Sequence, residues 1–153
     1  MCIPVGYINF IWLPVLCSVP YTCDMITVVG LGNPGEEYAG TRHNAGRIIL
    51  MQIAKREGFQ DFRDDKKTKA LIAGGKIGTT KFQFVLPDNF MNNSGGSVKP
   101  HIASKKDLEK LVVVYDDLDL PIGRIKISFD RGDGGHNGLK DITSALGTQD
   151  YWR

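Results

Sequence analysis

Cysteine is scarce in this sequence, and the cysteines present all lie near its start. Cys2, Cys17 and Cys23 precede Met25, and no cysteine follows. Neither a disulfide framework nor a thiolate metal site can therefore hold the rest of the chain together. This distribution is typical of a protein from a reducing compartment, and we expect a cytoplasmic location.

The sequence also lacks a strong excess of either charge and a long unbroken apolar run. Its 19 basic and 17 acidic residues leave a net charge of +2, which neither requires nor excludes a nucleic-acid partner.

Residues 1–24 are apolar, but they contain Pro4, Pro14 and Pro20 and have no lysine or arginine. They thus lack the basic start of a secretory signal, the arginines of a transit peptide and the roughly 20 unbroken apolar residues of a membrane span. We interpret residues 1–24 as an apolar leader outside the fold, predict no membrane association, and expect one domain over residues 25–153.

Strand-like and helix-like patterns alternate through that domain. The predicted strands are 25–31, 70–73, 81–86, 111–115 and 123–129, and the predicted helices are 45–57, 91–103 and 137–146. Glycines and Pro100 make the second helix short or kinked, and the charged segment 59–69 is expected to be exposed. The pattern predicts an α/β fold, a single domain with a twisted mixed β-sheet flanked by helices.

A glycine-rich loop, GLGNPG at residues 30–35, follows the first predicted strand and matches the spacing of a dinucleotide-binding fingerprint. That fingerprint requires its last glycine to open a helix whose N-terminus meets the pyrophosphate. Here Pro34 lies within the loop, and residues 36–42 have no apolar periodicity. We therefore predict that the chain uses no nucleotide cofactor. The histidines lack close metal-ligand spacing, so we also predict no metal.

Polar side chains lie near the ends of the predicted strands, beside glycines. They are Asn33, His43, Asn44, Asn92, Asp116, His136 and Asn137. Because ligands in open α/β folds bind at the carboxyl ends of strands, we expect these side chains to share one cleft. A histidine can accept a proton from water, an aspartate can hold its tautomer, and asparagine amides can donate to an oxyanion. The set predicts acyl transfer to water, although each residue alone could equally be a structural histidine, a helix cap or a turn former.

Four motifs follow one another along the chain: GLGNPG with Tyr38 and TRHNxG at 41–46, FMNNSG at 90–95, DDLDLPxG at 116–123 and GGHNGL at 134–139. In sequence and in order they resemble the motifs of the bacterial-type peptidyl-tRNA hydrolase family. The resemblance covers residues 25–153. It implies a monomeric enzyme without a cofactor that cleaves the ester between peptide and tRNA in peptidyl-tRNA, which releases tRNA for reuse.

The resemblance also implies a role for each matching residue. His43 would be the general base that activates water, and Asp116 would orient and polarise it. Asn33 would be catalytic as well, with either Asn33 or Asn92 donating to the oxyanion. The implied substrate-binding residues are Tyr38, Phe90, Asn92 and Asn137. Because the site would recognise a backbone amide, an N-blocked ester should be preferred over a free aminoacyl ester.

Basic residues flank the glycine loop that precedes the last predicted helix. They are Arg124, Lys126, Arg131 and Lys140. We predict that they contact tRNA phosphates, with an ordinary solvated surface as the alternative.

The chain also departs from the family pattern. Asn89 stands where the family usually has threonine, and Pro100 interrupts the helix behind Asn92, so we expect a slight shift of Asn92. Family members continue with a further strand and a helical segment, which we expect this chain to lack.

Two other functions are alternatives to the enzyme: a non-catalytic RNA-binding protein on the same fold, like the plant organelle intron-splicing factors, and an inactive truncated product. The joint presence of His43, Asp116 and the asparagines favours the enzyme, because a pure binder needs no proton acceptor.

Overall fold

A computed structural model of the chain describes residues 25–153. The predicted leader, residues 1–24, lies outside the described residues, so the domain boundary at residue 25 stays a prediction. Five strands form one sheet: β1 (Ile26–Gly30), β2 (Arg63–Asp65), β3 (Ala70–Ile77), β4 (Thr80–Pro87) and β5 (Leu111–Val114). Their order is β2-β3-β4-β1-β5, with β1 parallel to β4 and β5, while β2, β3 and β4 are antiparallel neighbours. The predicted single α/β domain with a mixed sheet is thus confirmed.

Strand β1 lies in the middle of the parallel part of the sheet, and all five of its residues are buried. Val28 is in register with Phe84 of β4 and Val112 of β5. Because successive side chains of a strand point to opposite faces, Val28 and Val29 belong to two different apolar clusters. Helices cover both faces of β1, which explains its continuous apolar sequence.

Within residues 25–153, four α-helices accompany the sheet: α1 (Ala45–Arg56), α2 (Ser94–Val98), α3 (Lys105–Leu108) and α4 (Asn137–Leu146). Helix α1 packs closely on the sheet because its second residue is Gly46. A Cβ atom at Gly46 would overlap the carbonyl oxygen of Val114 in β5. The contact places the start of α1 beside the carboxyl end of β5. No helix among residues 25–153 has the length and apolar character needed to cross a bilayer.

The expected helix 91–103 is broken into short pieces, as its glycines and Pro100 predicted. A 3-10 turn at Met91–Asn93 leads into α2, and a second 3-10 turn at Lys99–His101 follows. The described chain has strand β2 inside the segment 59–69, which we expected only to be exposed. Phe59 and Phe62 pack against the apolar core there and hold that segment on the sheet.

The predicted strand 123–129 is wrong as a regular strand. Its alternating residues are mostly exposed, including Ile125 and Ile127. Only its end is paired, because Ser128 and Arg153 exchange two backbone hydrogen bonds and Phe129 forms an isolated bridge with Trp152. Trp152 also bridges Val112 of β5. The alternating pattern is therefore present without the continuous ladder that makes a strand.

Candidate active site

The candidate site lies where β1, β4 and β5 end at the same edge of the sheet. Asn33 follows β1, Asn92 follows β4, and Asp116 follows β5. Since these three strands are parallel, their carboxyl ends meet, which is where open α/β folds bind ligands. The 3-10 helix Arg42–Asn44 carries His43 to this edge just before α1 begins.

His43 and Asp116 form the shortest polar contact of the site. The distance from His43 Nδ1 to Asp116 Oδ1 is 2.7 Å. The His43 side chain is 45% exposed, whereas that of Asp116 is only 7% exposed. Because Nδ1 faces a carboxylate oxygen, it carries the ring proton, and Nε2 is left with a lone pair. The pair therefore presents an oriented proton acceptor to solvent.

His136 donates a second hydrogen bond to the same oxygen of Asp116. Its Nε2 lies 3.2 Å from Asp116 Oδ1, and its side chain is almost buried. His136 is also the N-cap of α4, where its Nδ1 accepts a hydrogen bond from the Leu139 backbone N–H at 3.4 Å. That acceptor role assigns the proton to Nε2. The Tyr115 ring packs edge-on against His136 with the ring centroids 5.1 Å apart.

The two histidines determine the charge state of Asp116. Burial by itself would raise the pKa of this carboxyl group, but hydrogen bonds from His136 and His43, together with their electrostatic attraction, hold its pKa below the ordinary value of 3.8. Asp116 is therefore an ionised acceptor at neutral pH, and it can stabilise the positive charge that His43 gains on accepting a proton.

Asn33 is fixed through both its backbone and its side chain. Buried Asn44 accepts from the Asn33 N–H at 2.8 Å and donates to the Asn33 carbonyl at 2.9 Å. The side-chain oxygen of Asn33 accepts from the Met91 N–H at 2.8 Å. Because Oδ1 already accepts a hydrogen bond, the Nδ2 amide is the remaining polar group of the side chain. It donates to no other residue within residues 25–153. Asn33 can therefore donate to an oxygen in the cleft.

The other predicted substrate-binding residues lie in chain segments that adjoin the residues of this centre. Phe90 and Asn92 are exposed on either side of buried Met91, and Asn137 is the exposed first residue of α4. Tyr38 is half-buried in the 3-10 turn Glu36–Tyr38. In the part of the chain that the structure describes, none of these four side chains forms a hydrogen bond with His43 or Asp116.

The predicted phosphate-binding residues all lie on the surface. Arg124, Lys126, Arg131 and Lys140 are exposed, and none forms a salt bridge with another described residue. Arg124 and Lys126 belong to the unpaired segment that follows Asp116, while Lys140 lies in the first turn of α4. Their side chains are therefore accessible to solvent.

Two important residues were not assigned a role from the sequence. His136 and Asn44 were both placed in the polar set, but nothing predicted that His136 would share Asp116 with His43 or that Asn44 would hold the Asn33 backbone. A histidine between a glycine pair and the start of a helix is a possible N-cap, which was the available signal for His136. The contact to Asp116 depends on tertiary structure.

His43, Asp116 and His136 also form a possible metal-binding group among the described residues, because their ligand atoms lie within 4.8 Å of one another. Two imidazole nitrogens and a carboxylate are ligands that zinc accepts. Both nitrogens, however, carry protons that they donate to Asp116. A metal ion would have to replace both hydrogen bonds.

The glycine-rich loop at residues 30–35 is not followed by the helix that a dinucleotide site needs. After Gly35, the chain forms a short 3-10 turn, Glu36–Tyr38.

An α/β domain with a buried carboxylate that orients an exposed histidine, next to a free amide donor, has the architecture of a hydrolase that activates water. Residues 27–153 match the family model described as peptidyl-tRNA hydrolase. The chain belongs to the peptidyl-tRNA hydrolase family.

Relatives and solved structures agree with this assignment. The chain is similar to peptidyl-tRNA hydrolase 1 of Corynebacterium jeikeium, with 46% identity over 132 residues that make up 85% of this chain and 68% of that protein. It is 43% identical to peptidyl-tRNA hydrolase of Parasynechococcus marenigrum over 82% of this chain and 62% of the relative. The crystal structure of peptidyl-tRNA hydrolase from Acinetobacter baumannii matches with a TM-score of 0.79 and 36% identity, covering 88% of this chain and 68% of that one. The chain thus spans roughly two thirds of the length of these proteins.

Proposed function

We propose that this chain hydrolyses the ester bond between peptide and tRNA in peptidyl-tRNA, with His43 as the general base. The observation that supports this proposal best is the contact of 2.7 Å between His43 Nδ1 and Asp116 Oδ1. It leaves the exposed Nε2 of His43 as a proton acceptor of fixed orientation. Family membership supplies the substrate, since the relatives are named for it.

The proposed reaction begins when His43 Nε2 takes a proton from water as the water oxygen attacks the ester carbonyl carbon. Ionised Asp116 stabilises the resulting imidazolium through Nδ1. The tetrahedral intermediate then collapses, the bond between the carbonyl carbon and the ribose oxygen breaks, and the ribose oxygen receives the proton from His43. The products are a tRNA with a free hydroxyl group and a peptide with a carboxylic acid, which loses its proton to solvent at neutral pH.

Asn33 is the proposed oxyanion donor. Its side-chain oxygen is held by the Met91 N–H, so its Nδ2 amide donates to the negative oxygen that develops in the transition state. Asn92, Asn137, Phe90 and Tyr38 are proposed to bind the peptide and the end of the tRNA. A site that hydrogen-bonds a backbone amide discriminates against a charged amine, which accounts for the proposed preference for N-blocked esters.

The four exposed basic residues are proposed to bind tRNA phosphates. Arg124 and Lys126 lie on the segment after Asp116, and Lys140 lies on α4 behind His136. Positive side chains on the segments that follow Asp116 and His136 would hold a polyanion so that its 3′ end reaches His43. Such contacts make affinity fall with increasing salt.

The test is release of the acyl group from N-acetylaminoacyl-tRNA by the parent chain and by His43→Ala. We expect the parent to cleave and the variant to lose about 100-fold or more of the rate, because it lacks the base. Binding of tRNA should be nearly unchanged. His101→Gln serves as the matched control, since that histidine lies outside the site, and it should cleave like the parent.

Equal turnover by His43→Ala and the parent would remove His43 from the mechanism. A folded parent that binds tRNA without cleaving the ester would instead support the RNA-binding alternative.

A further inference from the structure

One arginine connects the helix that follows His43 with the loop that carries Phe90 and Asn92. Arg47 lies in the first turn of α1, four residues after His43. Its side chain is only 13% exposed. Arg47 Nη1 donates to the carbonyl oxygen of Pro87 at 2.8 Å, and Nη2 donates to Asp88 Oδ1 at 3.2 Å. The guanidinium group therefore holds the point where β4 ends and the loop begins.

The backbone of Arg47 holds a second loop. Its N–H donates to the carbonyl oxygen of Leu31 at 3.0 Å, just before Asn33. The loop after β1 and the start of α1 are so close that a Cβ atom at Gly32 would lie 3.0 Å from the Cβ of Arg47. Arg47 is thus attached to the loop after β1 through its backbone and to the loop after β4 through its side chain.

Other contacts also hold the loop after β4, among them a hydrogen bond of 2.7 Å from the Asn89 side-chain amide to Ser97 Oγ. The Asp88 N–H donates to the Lys69 carbonyl at 2.8 Å, and the Met91 N–H donates to Asn33 Oδ1 at 2.8 Å. Phe90 and Asn92 flank Met91 and are exposed. Loss of the Arg47 side chain would remove its contacts to Pro87 and Asp88 and loosen the start of this loop, while the backbone contacts of Asp88 and Met91 would remain.

We propose that Arg47 is a positioning residue, which sets the distance between the water-activating side of the site at His43 and the peptide-binding side at Phe90 and Asn92. This inference rests on the proposed function. The guanidinium group suits the role because its rigid fork reaches two acceptors at once, whereas a lysine ammonium group is a single flexible charge. If the loop that carries Phe90 and Asn92 shifts, its contacts to the bound substrate weaken, which raises KM.

The experiment measures KM and kcat for N-acetylaminoacyl-tRNA with Arg47→Ala, Arg47→Lys and Asp88→Ala. We expect Arg47→Ala to raise KM about tenfold, Arg47→Lys to give an intermediate value, and Asp88→Ala to change KM less than about twofold, because Asp88 is exposed and the Pro87 contact persists. The pH midpoint of kcat should not move, since the His43–Asp116 pair is untouched. Lys55→Ala, an exposed change on the same helix, is the matched control and should behave like the parent.

The KM value distinguishes positioning from simple loss of structure. A variant that is only partly folded has fewer active molecules, which lowers apparent kcat and leaves KM unchanged. An unchanged KM in Arg47→Ala would therefore overturn the inference while the parent still cleaves. If Arg47→Ala does not fold, Arg47→Lys decides the matter by the same comparison. An inactive, folded parent would count against the proposed function itself and would take this inference with it.

Discussion

His136 makes two hydrogen bonds that substitution can remove one at a time. Its Nε2 donates to Asp116, and its Nδ1 caps α4 by accepting from the Leu139 N–H. His136→Asn keeps a short side-chain acceptor, which is favoured at an N-cap, and loses the donor to Asp116. His136→Gln places an amide nitrogen near the position of Nε2 and loses the cap. Comparison of these two variants therefore separates the role of His136 at Asp116 from its role as the N-cap of α4.

The expected magnitudes follow from the two contacts. A hydrogen bond to a charged group contributes about 1.5–3 kcal/mol, and at 3.2 Å the lower figure applies to the Asp116 contact. If the transition state depends on that contact, about 1.5 kcal/mol corresponds to roughly a tenfold loss of kcat/KM in His136→Asn. Loss of the N-cap costs about 0.5–1 kcal/mol of unfolding free energy in His136→Gln, since that bond is long at 3.4 Å.

The assay compares kcat/KM on N-acetylaminoacyl-tRNA with the free energy of unfolding in urea. Both variants lose some stability, but only His136→Asn should lose activity, and His136→Gln should stay within about threefold of the parent. The pKa of Asp116 is lowered partly by His136, so its contribution to stability is present above pH 3.8 and is lost as the pH falls through the lower folded pKa. The stability gap between His136→Asn and the parent should therefore narrow in acid. Equal activity of the two variants would refute the assignment of His136 to Asp116.

The remaining predictions concern stability. Gly46→Ala should lower the free energy of unfolding by about 3 kcal/mol, because the added Cβ would overlap backbone atoms of Val114 and Leu31. Gly40→Ala should be nearly neutral in the same urea titration, because no atom lies within 4 Å of the Cβ that it adds. Equal stability of the two variants would contradict the close approach of α1 to β5. Burial lowers the pKa of His101 below 6.5 despite the opposing attraction of Asp65, so its protonation should weaken the fold as the pH falls below 6.5. His101→Gln should flatten that part of the stability curve, and an unchanged slope would show that His101 does not contribute to it.

The sequence predicted the parallel core of the fold closely because its signals are local. Strand β5 and helix α4 match the expected 111–115 and 137–146 within a residue. Their apolar runs are bounded by glycine or by polar residues. The segment 123–129 shows where this reasoning ends. Its alternation is typical of a strand, but a strand also needs a partner, and only its last residues have one.

The sequence predicted which residues form the candidate site, but it did not predict how those residues contact one another. Strand ends in a parallel sheet meet at one edge, so the grouping of Asn33, Asn92 and Asp116 follows from the pattern of elements. The bond between His43 and Asp116 joins residues 73 positions apart, and Arg47 meets Pro87 across 40 positions. Such contacts depend on packing that no local pattern encodes. For this reason the sequence named His136 without its partner and did not single out Arg47.

The central position of β1 also divides the site into regions that open at different rates. Strand β1 is hydrogen-bonded to β4 on one side and to β5 on the other, so we expect its amide protons to exchange with solvent only through the largest opening events of the domain. The segment 117–127 has no strand partner within the described chain, and we expect its amides to exchange through small local openings. Asn33 thus follows the part of the backbone that we expect to open last, while His43 and His136 hold Asp116 at the end of the neighbouring strand. The segment that carries Arg124 and Lys126 can adapt its shape to a large ligand while the reacting groups keep their alignment.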